Sequence, residues 1–300
     1  MSELDVTIAI INWNTKDLLR ECLESIYLAH PLVSYSIKVI DNHSDDGSQK
    51  MVLEEFPDVE LVENAGNLGY SAAANQALRQ SSAKYVFLLN SDTRVERETI
   101  DVLFEQGEHD EEIAIIGPML LNTDGSTQIT GRNFPRFVDA SMHAFLGIFW
   151  HMNPWSVRYK MLDWDRSSDR LVDWVSGAAM FIKRDAVEEV DYFDENFFMY
   201  VEDLDLCYRL RNKGWQVLFT TEAKVVHHIG KSSEQSNTKM IVEFQKSMYR
   251  FYAKKYKESW RRFLKPLVVV GLFARTLMLI TASNVQKIMA ETRVKEEKET

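Results

Sequence analysis

The chain has 300 residues, a formal net charge of −10 and a hydrophobic content of 45%. This length and composition suit one large domain, or one domain with an appendage, built around a sizeable buried core. The acidic balance argues against a general nucleic-acid binder, which would present a basic surface.

The cysteines and the N-terminus indicate the cellular compartment. Only Cys22 and Cys207 are present, without the CxxC spacing of a zinc site, and such sparse use of cysteine fits a reducing environment. The opening stretch MSELDVTIAIINW has no basic n-region and no small-residue cleavage signal, so no secretory signal is expected. These features predict a cytoplasmic protein.

The first 90 residues alternate between apolar strand-like runs and amphipathic helical stretches. The predicted strands are DVTIAIIN, YSIKVID, DVELVEN and AKYVFLLN, and the predicted helices between them are TKDLLRECLESIYLA, DDGSQKMVLEEF and GYSAAANQALRQ. Asn14 or Thr15 is placed to cap the first helix, and Ser71 is placed to cap the third. Strands alternating with helices predict an α/β fold with a parallel sheet covered on both faces.

Polar residues follow three of these strands. Asn12 ends the first strand, Asp41 and Asn42 end the second, and Asn90 and Asp92 follow the fourth. Exposure to water is enough to explain a polar residue at the end of one strand. Polar residues after three strands, at the carboxyl edge of an open α/β sheet, predict a ligand site. The neighbouring stretch NAGNLGYS matches neither GxGxxG nor GxxxxGK[ST], so neither a dinucleotide fold nor a P-loop is indicated.

The second half of the chain is less regular. Residues 126–170 hold many aromatic side chains and few clear periods, which is typical of a lid-like segment or of a peripheral packing layer. The stretch VEDLDLCYRLRNKG predicts a helix that ends at Gly214. Asp205 in its first turn is accounted for by the helix dipole. Glu202 and Asp203 follow the aromatic run FDENFFMY, and a carboxylate beside such a wall is a candidate general base.

Seven stretches occur in an order typical of one enzyme family. They are VTIAIINWN, VIDNHSDDGS, NLGYSAAANQAL, FLLNSDT, VDWVSGAAMFIKRDA, FDENFFMYVEDLDLCYRLRNKGW and VVHHIGKSS. Over residues 5–235 the chain closely resembles glycosyltransferase family 2, and within it the bacterial rhamnosyltransferase-type branch. The resemblance implies a GT-A fold, an α/β Rossmann-like and mostly parallel sheet flanked by helices, over residues 1–235. Residues 236–300 would form a C-terminal helical appendage.

The resemblance also implies roles for individual residues. Asp203 would be the catalytic base, with Glu202 beside it, and Trp174 and Gly177 would lie on the acceptor side. The residues implied to bind the nucleotide-sugar are Asn12, Trp13, Asn14, Asp41, Asn42, Asn67, Leu68, Asn90 and Asp92.

A divalent cation, Mg²⁺ or Mn²⁺, is implied by the same resemblance. Asp92 would bind it, although many family members carry a second aspartate where this chain has Asn90 and Ser91. His227 would complete the site. Adjacent residues of a strand point to opposite faces, so His228 is the alternative and at most one of the two histidines faces the edge.

The implied reaction is an inverting transfer of a sugar from a nucleotide-diphospho-sugar to a hydroxyl of a glycan or polyprenyl-linked acceptor, in cell-surface polysaccharide synthesis. The branch favours dTDP-rhamnose as donor, with a UDP-hexose as the second choice. A nucleotidyltransferase would carry a glycine-rich basic loop where this chain has NWNTKDLL. A non-catalytic sugar-nucleotide-binding module is the other alternative, and the presence of Asp92, Asp203 and His227 together counts against it.

The C-terminal segment changes character. Basic and aromatic residues interleave over residues 241–265, and PLVVVGLFARTLMLITAS then follows with Arg275 as its single charge. That apolar run is shorter than the roughly 20 residues a spanning helix needs. Two interpretations remain, a helical hairpin packed on the catalytic domain and peripheral attachment to the anionic cytoplasmic face of the inner membrane.

Overall fold

The computed structural model describes residues 4–147, 149–228 and 237–299. These residues form two units, of which the first comprises 4–198 and 202–228 and the second comprises 199–201 and 237–299. The expected domain boundary at residue 235 lies outside the described residues.

The first unit opens with strands and helices in strict alternation. These elements are β1 Val6–Asn12, α1 Lys16–Ala29, β2 Tyr35–Asp41, α2 Ser48–Glu55, β3 Glu60–Glu63, α3 Tyr70–Gln80 and β4 Tyr85–Asn90. All seven were predicted from the sequence. Helix α1 could be predicted because its buried residues recur at three- and four-residue intervals, which places them on one face of a helix.

The rest of the first unit is more varied. Its elements are β5 Thr93–Val95, α4 Thr99–His109, β6 Ile113–Leu121, α5 Phe137–Leu146, α6 Pro154–Lys160, β7 Arg170–Val172, β8 Ala179–Lys183, α7 Arg184–Glu188, α8 Glu202–Lys213 and β9 Gln216–His227. The segment 126–170 therefore contains two short helices. Helix α6 begins where the Asn153 side chain accepts a hydrogen bond from the Ser156 N–H at 2.8 Å.

One mixed sheet organises this unit, in the order β3-β2-β1-β4-β8-β6-β9-β5, with β7 pairing β9. Strands β1 to β4 are parallel, as predicted. Strand β8 is antiparallel to both of its neighbours, and β5 and β7 are antiparallel to β9. The central strands β1 and β4 are buried on both faces, which explains their unbroken apolar runs.

Two helix caps differ from the prediction. Thr15 occupies the N-cap position of α1, as one of the two predicted candidates, but its side chain makes no capping bond. Its hydroxyl instead donates to Asn12 Oδ1 at 2.8 Å. The predicted Ser71 cap is wrong, because Gly69 is the N-cap of α3 and Ser71 lies inside the first turn. Gly69 has φ 87° and ψ 169°, a region essentially restricted to glycine.

The second unit is helical in its described part. It contains α9 Asn237–Lys255, a 3₁₀ turn Trp260–Leu264 and α10 Lys265–Glu299. The apolar run predicted to be too short to span a membrane belongs to a longer helical stretch, Trp260–Asn284, of 25 residues and mean hydropathy 1.9. Within the described residues, this stretch is long and apolar enough to cross a membrane by length and composition alone.

Candidate active site

Three polar strand ends lie side by side at one edge of the sheet. In the registers of β1 with β2 and β4, Asn12 is opposite Asp41, and Ile11 is opposite Asn90. The Asn90 N–H donates to the Ala178 carbonyl at 3.0 Å, which brings the turn before β8 to the same edge. The edge therefore gathers the strand-end residues and the turn that contains Gly177.

The Asp41 carboxylate is fully buried and accepts four hydrogen bonds from protein groups. Its Oδ1 accepts from the Ser44 N–H at 2.8 Å and from Gln49 Nε2 at 2.7 Å. Its Oδ2 accepts from Asn12 Nδ2 and from the Ser44 hydroxyl, both at 2.7 Å. A direct bond from a nucleobase to this carboxylate would have to displace one of these donors, so Asp41 and Asn12 brace the loop after β2 in this arrangement.

Trp13 and Asn14 lie beside that network and are half-buried. Asn14 adopts a left-handed conformation, with φ 53°. Its side-chain carbonyl accepts a hydrogen bond from the Asp45 N–H at 2.8 Å. These contacts tie the turn after β1 to the loop after β2, so that both form one side of the site.

A second loop is held against the edge through Gly69. Its carbonyl accepts from Asn42 Nδ2 at 3.2 Å, and its N–H donates to Asn67 Oδ1 at 3.0 Å. A Cβ on Gly69 would lie 2.4 Å from the Phe198 carbonyl oxygen, so only glycine allows this approach. Asn42 and Asn67 thus support the loop, whereas the Leu68 side chain is exposed and available for contact with a ligand.

Asp203 is oriented by backbone groups on both of its carboxylate oxygens. Oδ2 accepts from the Gly177 N–H at 2.9 Å, and Oδ1 accepts from the Leu204 N–H at 2.8 Å. The Gly177 carbonyl in turn accepts from the Tyr70 hydroxyl at 2.8 Å. Gly177 therefore links the first turn of α8 to the first turn of α3, and it holds the carboxylate next to the strand ends.

Burial raises the pKa of both carboxyls at the start of α8. For Asp203, desolvation raises the pKa and the hydrogen bonds from Gly177 and Leu204 oppose it. For Glu202, desolvation and then the charge of Asp203 raise the pKa well above its ordinary value. The Glu202 Oε2 atom is buried and has no hydrogen-bond partner. Glu202 is therefore favoured in its neutral form, and Asp203 is the better candidate for accepting a proton.

Trp174 is nearly buried beside the same turn. Its indole N–H donates to the Asn133 carbonyl at 3.1 Å, and the Arg132 guanidinium lies 5.1 Å from its ring centroid. The Arg132 charge also lowers the pKa of Asp203, against the larger effect of desolvation. Trp174 thus acts as a packing platform, and Arg132 is a charged neighbour of the carboxylate that the sequence did not single out.

Asp92 and His227 come together across the pairing of β5 with β9. Asp92 Oδ1 lies 3.4 Å from His227 Nε2, and both side chains are largely buried. The His228 N–H donates to the Asp92 carbonyl at 2.9 Å, while its ring points toward Glu21, at 4.0 Å. The two histidine rings thus diverge, and the ring of His227 is the one that faces Asp92.

The Asp92 and His227 side chains have donor atoms that suit a divalent cation. A carboxylate oxygen and an imidazole nitrogen are acceptable ligands for Mn²⁺, and the carboxylate also suits Mg²⁺. Within the described part of the chain, no cluster of three or more His, Cys, Asp or Glu side chains could hold a metal ion. The two side chains could therefore hold a cation only if its remaining ligands were supplied by water or by a bound diphosphate.

Two further residues of the site escaped sequence reasoning. Tyr70 looked like an ordinary helix residue, and Gln128 lies in the segment without a clear period. Both act through contacts with residues about 100 positions away, Tyr70 with Gly177 and Gln128 with His227. No local pattern predicts such contacts, because each joins elements that are far apart in the chain.

The fold is that of the GT-A glycosyltransferases. A mannosyltransferase from Pyrobaculum calidifontis, solved with GDP-mannose and Mn²⁺, matches with a TM-score of 0.59 at 16% identity. The match covers 96% of this chain and 79% of the mannosyltransferase. At that identity it establishes the fold, and the predicted α/β architecture of GT-A type is confirmed.

Residues 4–243 match the family described as glycosyltransferase like family 2, and the chain belongs to that family. It is 30% identical to the N-acetylglucosaminyl-diphospho-decaprenol L-rhamnosyltransferase of Mycobacterium tuberculosis, over 83% of this chain and 84% of that protein. It is 24% identical to the rhamnosyltransferase WbbL of Escherichia coli, over 86% of this chain and 96% of that protein. The predicted likeness to the rhamnosyltransferase branch is therefore confirmed.

Proposed function

We propose that this glycosyltransferase performs an inverting transfer of one sugar from a nucleotide-diphospho-sugar to an acceptor hydroxyl, with Asp203 as the general base. The observation that carries the proposal is the fixed Asp203 carboxylate. Two backbone N–H groups orient it, and Gly177 connects it to the sheet edge where Asn90 and Asp92 lie. A base held in place beside the donor site is what a direct displacement needs.

The chemistry follows as a single displacement. The acceptor oxygen attacks the anomeric carbon from the side opposite the diphosphate, and its proton passes to Asp203. The bond from the anomeric carbon to the phosphate oxygen breaks, and its electron pair leaves with the diphosphate. One displacement inverts the anomeric configuration, and no covalent enzyme intermediate is required.

Asp92 and His227 are the residues proposed to hold a divalent cation, with Mn²⁺ or Mg²⁺ as candidates. When bound, such an ion supplies positive charge against the departing diphosphate. The remaining residues of the edge would contact the donor: Trp13, Asn14 and Leu68 directly, and Asn12, Asp41, Asn42, Asn67 and Asn90 chiefly by shaping the loops around it. Trp174 and Gly177 would border the acceptor.

The donor is proposed to be dTDP-rhamnose, with a UDP-hexose as the alternative. Two relatives named as rhamnosyltransferases support this choice. One of them is named for an acceptor that is a diphospho-decaprenol carrying N-acetylglucosamine. By analogy, the acceptor here is proposed to be a polyprenyl-linked glycan used to build a cell-surface polysaccharide.

A lipid-linked acceptor would be met at the membrane, and the second unit offers a surface for it. On α10, an exposed apolar face includes Leu267, Val270 and Phe273, each 64% exposed. Arg261 and Arg262 precede this face. An exposed apolar helix preceded by basic residues suits peripheral binding to the anionic cytoplasmic leaflet of the inner membrane.

The test is a donor panel. Binding and slow hydrolysis of dTDP-rhamnose, UDP-glucose, UDP-N-acetylglucosamine and GDP-mannose are measured with Mn²⁺, with Mg²⁺ and with chelator, on the wild type and on Asp92→Ala. Metal-dependent use of dTDP-rhamnose alone, lost in the variant, is the expected result. Use of a UDP-sugar would replace the donor assignment. Failure of a folded protein to bind any donor would contradict the proposal, whereas donor binding with no hydrolysis under any condition would favour the non-catalytic sugar-nucleotide-binding module.

A further inference from the structure

Gln128 makes a set of contacts that bears on how His227 presents its ring. The residue follows β6, is 8% exposed, and its N–H donates to the Leu120 carbonyl at 2.8 Å. Its side chain reaches His227 at two points. The amide Nε2 lies 2.8 Å from the His227 backbone carbonyl, and the amide Oε1 lies 3.0 Å from the ring Nδ1.

The orientation of the Gln128 amide is determined by its surroundings. Its Nε2 lies within hydrogen-bond distance of two backbone carbonyls, those of His227 and, at 3.2 Å, Leu121. Carbonyl oxygens only accept hydrogen bonds, so the amide NH₂ must be the group that faces them. The amide oxygen is then the group that faces the His227 ring.

This orientation selects one tautomer of His227. An amide oxygen can only accept, so Nδ1 must carry the proton that makes the 3.0 Å contact. In the neutral ring the other nitrogen, Nε2, then bears a lone pair. That lone pair is directed at the region of Asp92, whose Oδ1 lies 3.4 Å away. A cation between the two groups would meet two electron-pair donors.

We propose that Gln128 is a positioning residue of the cation site, which holds His227 in the Nδ1–H tautomer so that Nε2 can serve as a ligand. The inference rests on the proposed cation role of Asp92 and His227. It adds a residue from the segment 126–170 to the machinery of the sheet edge. Outer partners of this kind typically change metal affinity by about 10- to 100-fold when they are removed.

The first test reads the tautomer without any metal. Long-range ¹H–¹⁵N spectra of ¹⁵N-histidine-labelled, metal-free protein at pH 8.5 distinguish Nδ1–H from Nε2–H, and His227→Gln assigns the resonance. The wild type is expected to show Nδ1–H. Gln128→Met is expected to show Nε2–H, because Asp92 then becomes the nearest acceptor. Gln128→Glu keeps an acceptor oxygen toward Nδ1 and is expected to retain Nδ1–H, with some loss of stability because its other oxygen replaces the donor that faces the Leu121 and His227 carbonyls.

The second test measures Mn²⁺ itself. Free Mn²⁺ is titrated by electron paramagnetic resonance without nucleotide, with dTDP and with UDP, so that the readout does not depend on the donor assignment. Gln128→Met is expected to bind about 10- to 100-fold more weakly than the wild type. Gln128→Glu is expected to lie between them, nearer the wild type. Thermal unfolding of each variant shows whether the protein remains folded.

Three results would overturn the inference. They are an Nε2–H tautomer in the wild type, no change of tautomer in Gln128→Met, and unchanged or undetectable Mn²⁺ binding across the series. None of these readouts depends on which sugar is transferred. A failure of the donor assignment would therefore leave the inference intact, and a failure here would leave the role of Asp203 intact.

Discussion

Asp203 and Gly177 are joined by a 2.9 Å hydrogen bond from a backbone N–H to a carboxylate oxygen. The contact connects residues 26 positions apart and fixes the side chain that is proposed to accept the acceptor proton. A second N–H, from Leu204, holds the other oxygen, so the carboxylate cannot rotate freely. The carbonyl of Ala178, the residue after Gly177, accepts a hydrogen bond from the Asn90 N–H. This bond connects Asp203 to the sheet edge that is proposed to bind the nucleotide-sugar.

Replacing the base should separate chemistry from binding. Asp203→Asn keeps an oxygen that can accept from the Gly177 N–H, so the fold is expected to survive. An amide cannot take the acceptor proton, and kcat is expected to fall by about 10²–10⁴-fold. Steady-state kinetics and donor binding are measured together, and donor affinity should change only a few-fold. Equal loss of donor binding and turnover would instead assign Asp203 to the donor site.

The buried carboxyl pair should make stability depend on pH in a particular direction. The pKa of each group is raised in the folded protein, so the folded state binds more protons than the unfolded state above the ordinary carboxyl range. The free energy of unfolding therefore falls as pH rises through that window. Glu202→Gln removes one of the two groups, and its stability should depend less steeply on pH than that of the wild type.

Urea unfolding at a series of pH values measures this effect. Exposed Glu105 on α4 supplies the control, since Glu105→Gln should give a curve parallel to the wild type. A Glu202→Gln curve that also runs parallel would contradict the assignment of a raised pKa to Glu202.

Two glycines with positive φ should respond differently to alanine. Gly69→Ala places a Cβ 2.4 Å from the Phe198 carbonyl oxygen, whereas Gly125, at φ 82°, has nothing within 4 Å. Gly125→Ala should cost only the backbone strain, about 1–2 kcal/mol. Gly69→Ala should cost roughly 1–3 kcal/mol more, because its φ and ψ lie in a region essentially restricted to glycine and a crowded backbone must also move.

Chemical denaturation of both glycine variants provides the comparison. Donor affinity should also fall in Gly69→Ala, because the loop that carries Leu68 shifts, and it should be unchanged in Gly125→Ala. Similar losses of stability in the two variants would mean that the close approach of Gly69 to Phe198 does not affect the free energy of unfolding.

The exposed face of α10 should determine membrane binding. Val270→Glu combined with Phe273→Glu places two charges on that face, and sedimentation with phosphatidylglycerol vesicles is expected to fall by on the order of tenfold or more. Leu32→Glu is the matched control, since Leu32 is 93% exposed in the first unit. Wild-type binding should weaken with salt and on neutral vesicles. Equal sedimentation of all three proteins would remove the membrane role.

Part of the candidate site was predictable because it depends on strand ends. The alternation of helices and strands places Asn12, Asp41 and Asn90 at one edge, where parallel pairing sets Asn12 opposite Asp41 and Asn90 opposite the preceding residue, Ile11. Local pattern also indicated the start of α8, where Glu202 and Asp203 lie. The prediction that Ser71 caps α3 was wrong. Serine favours the N-cap position, but the positive φ of Gly69 starts the helix two residues earlier, with Gly69 as the N-cap.

The sequence by itself determined the alternating elements, the apolar face of each helix and the polar edge of the parallel strands, since these follow from hydrophobic periodicity and turn chemistry. Only the tertiary structure decided that β8 inserts antiparallel beside β4, and that Gly177 therefore meets Asp203. It also decided that Gln128 contacts His227 and that burial raises the pKa of Glu202. The physical reason is distance along the chain: these contacts join separate elements, and their energies depend on packing that no local pattern encodes.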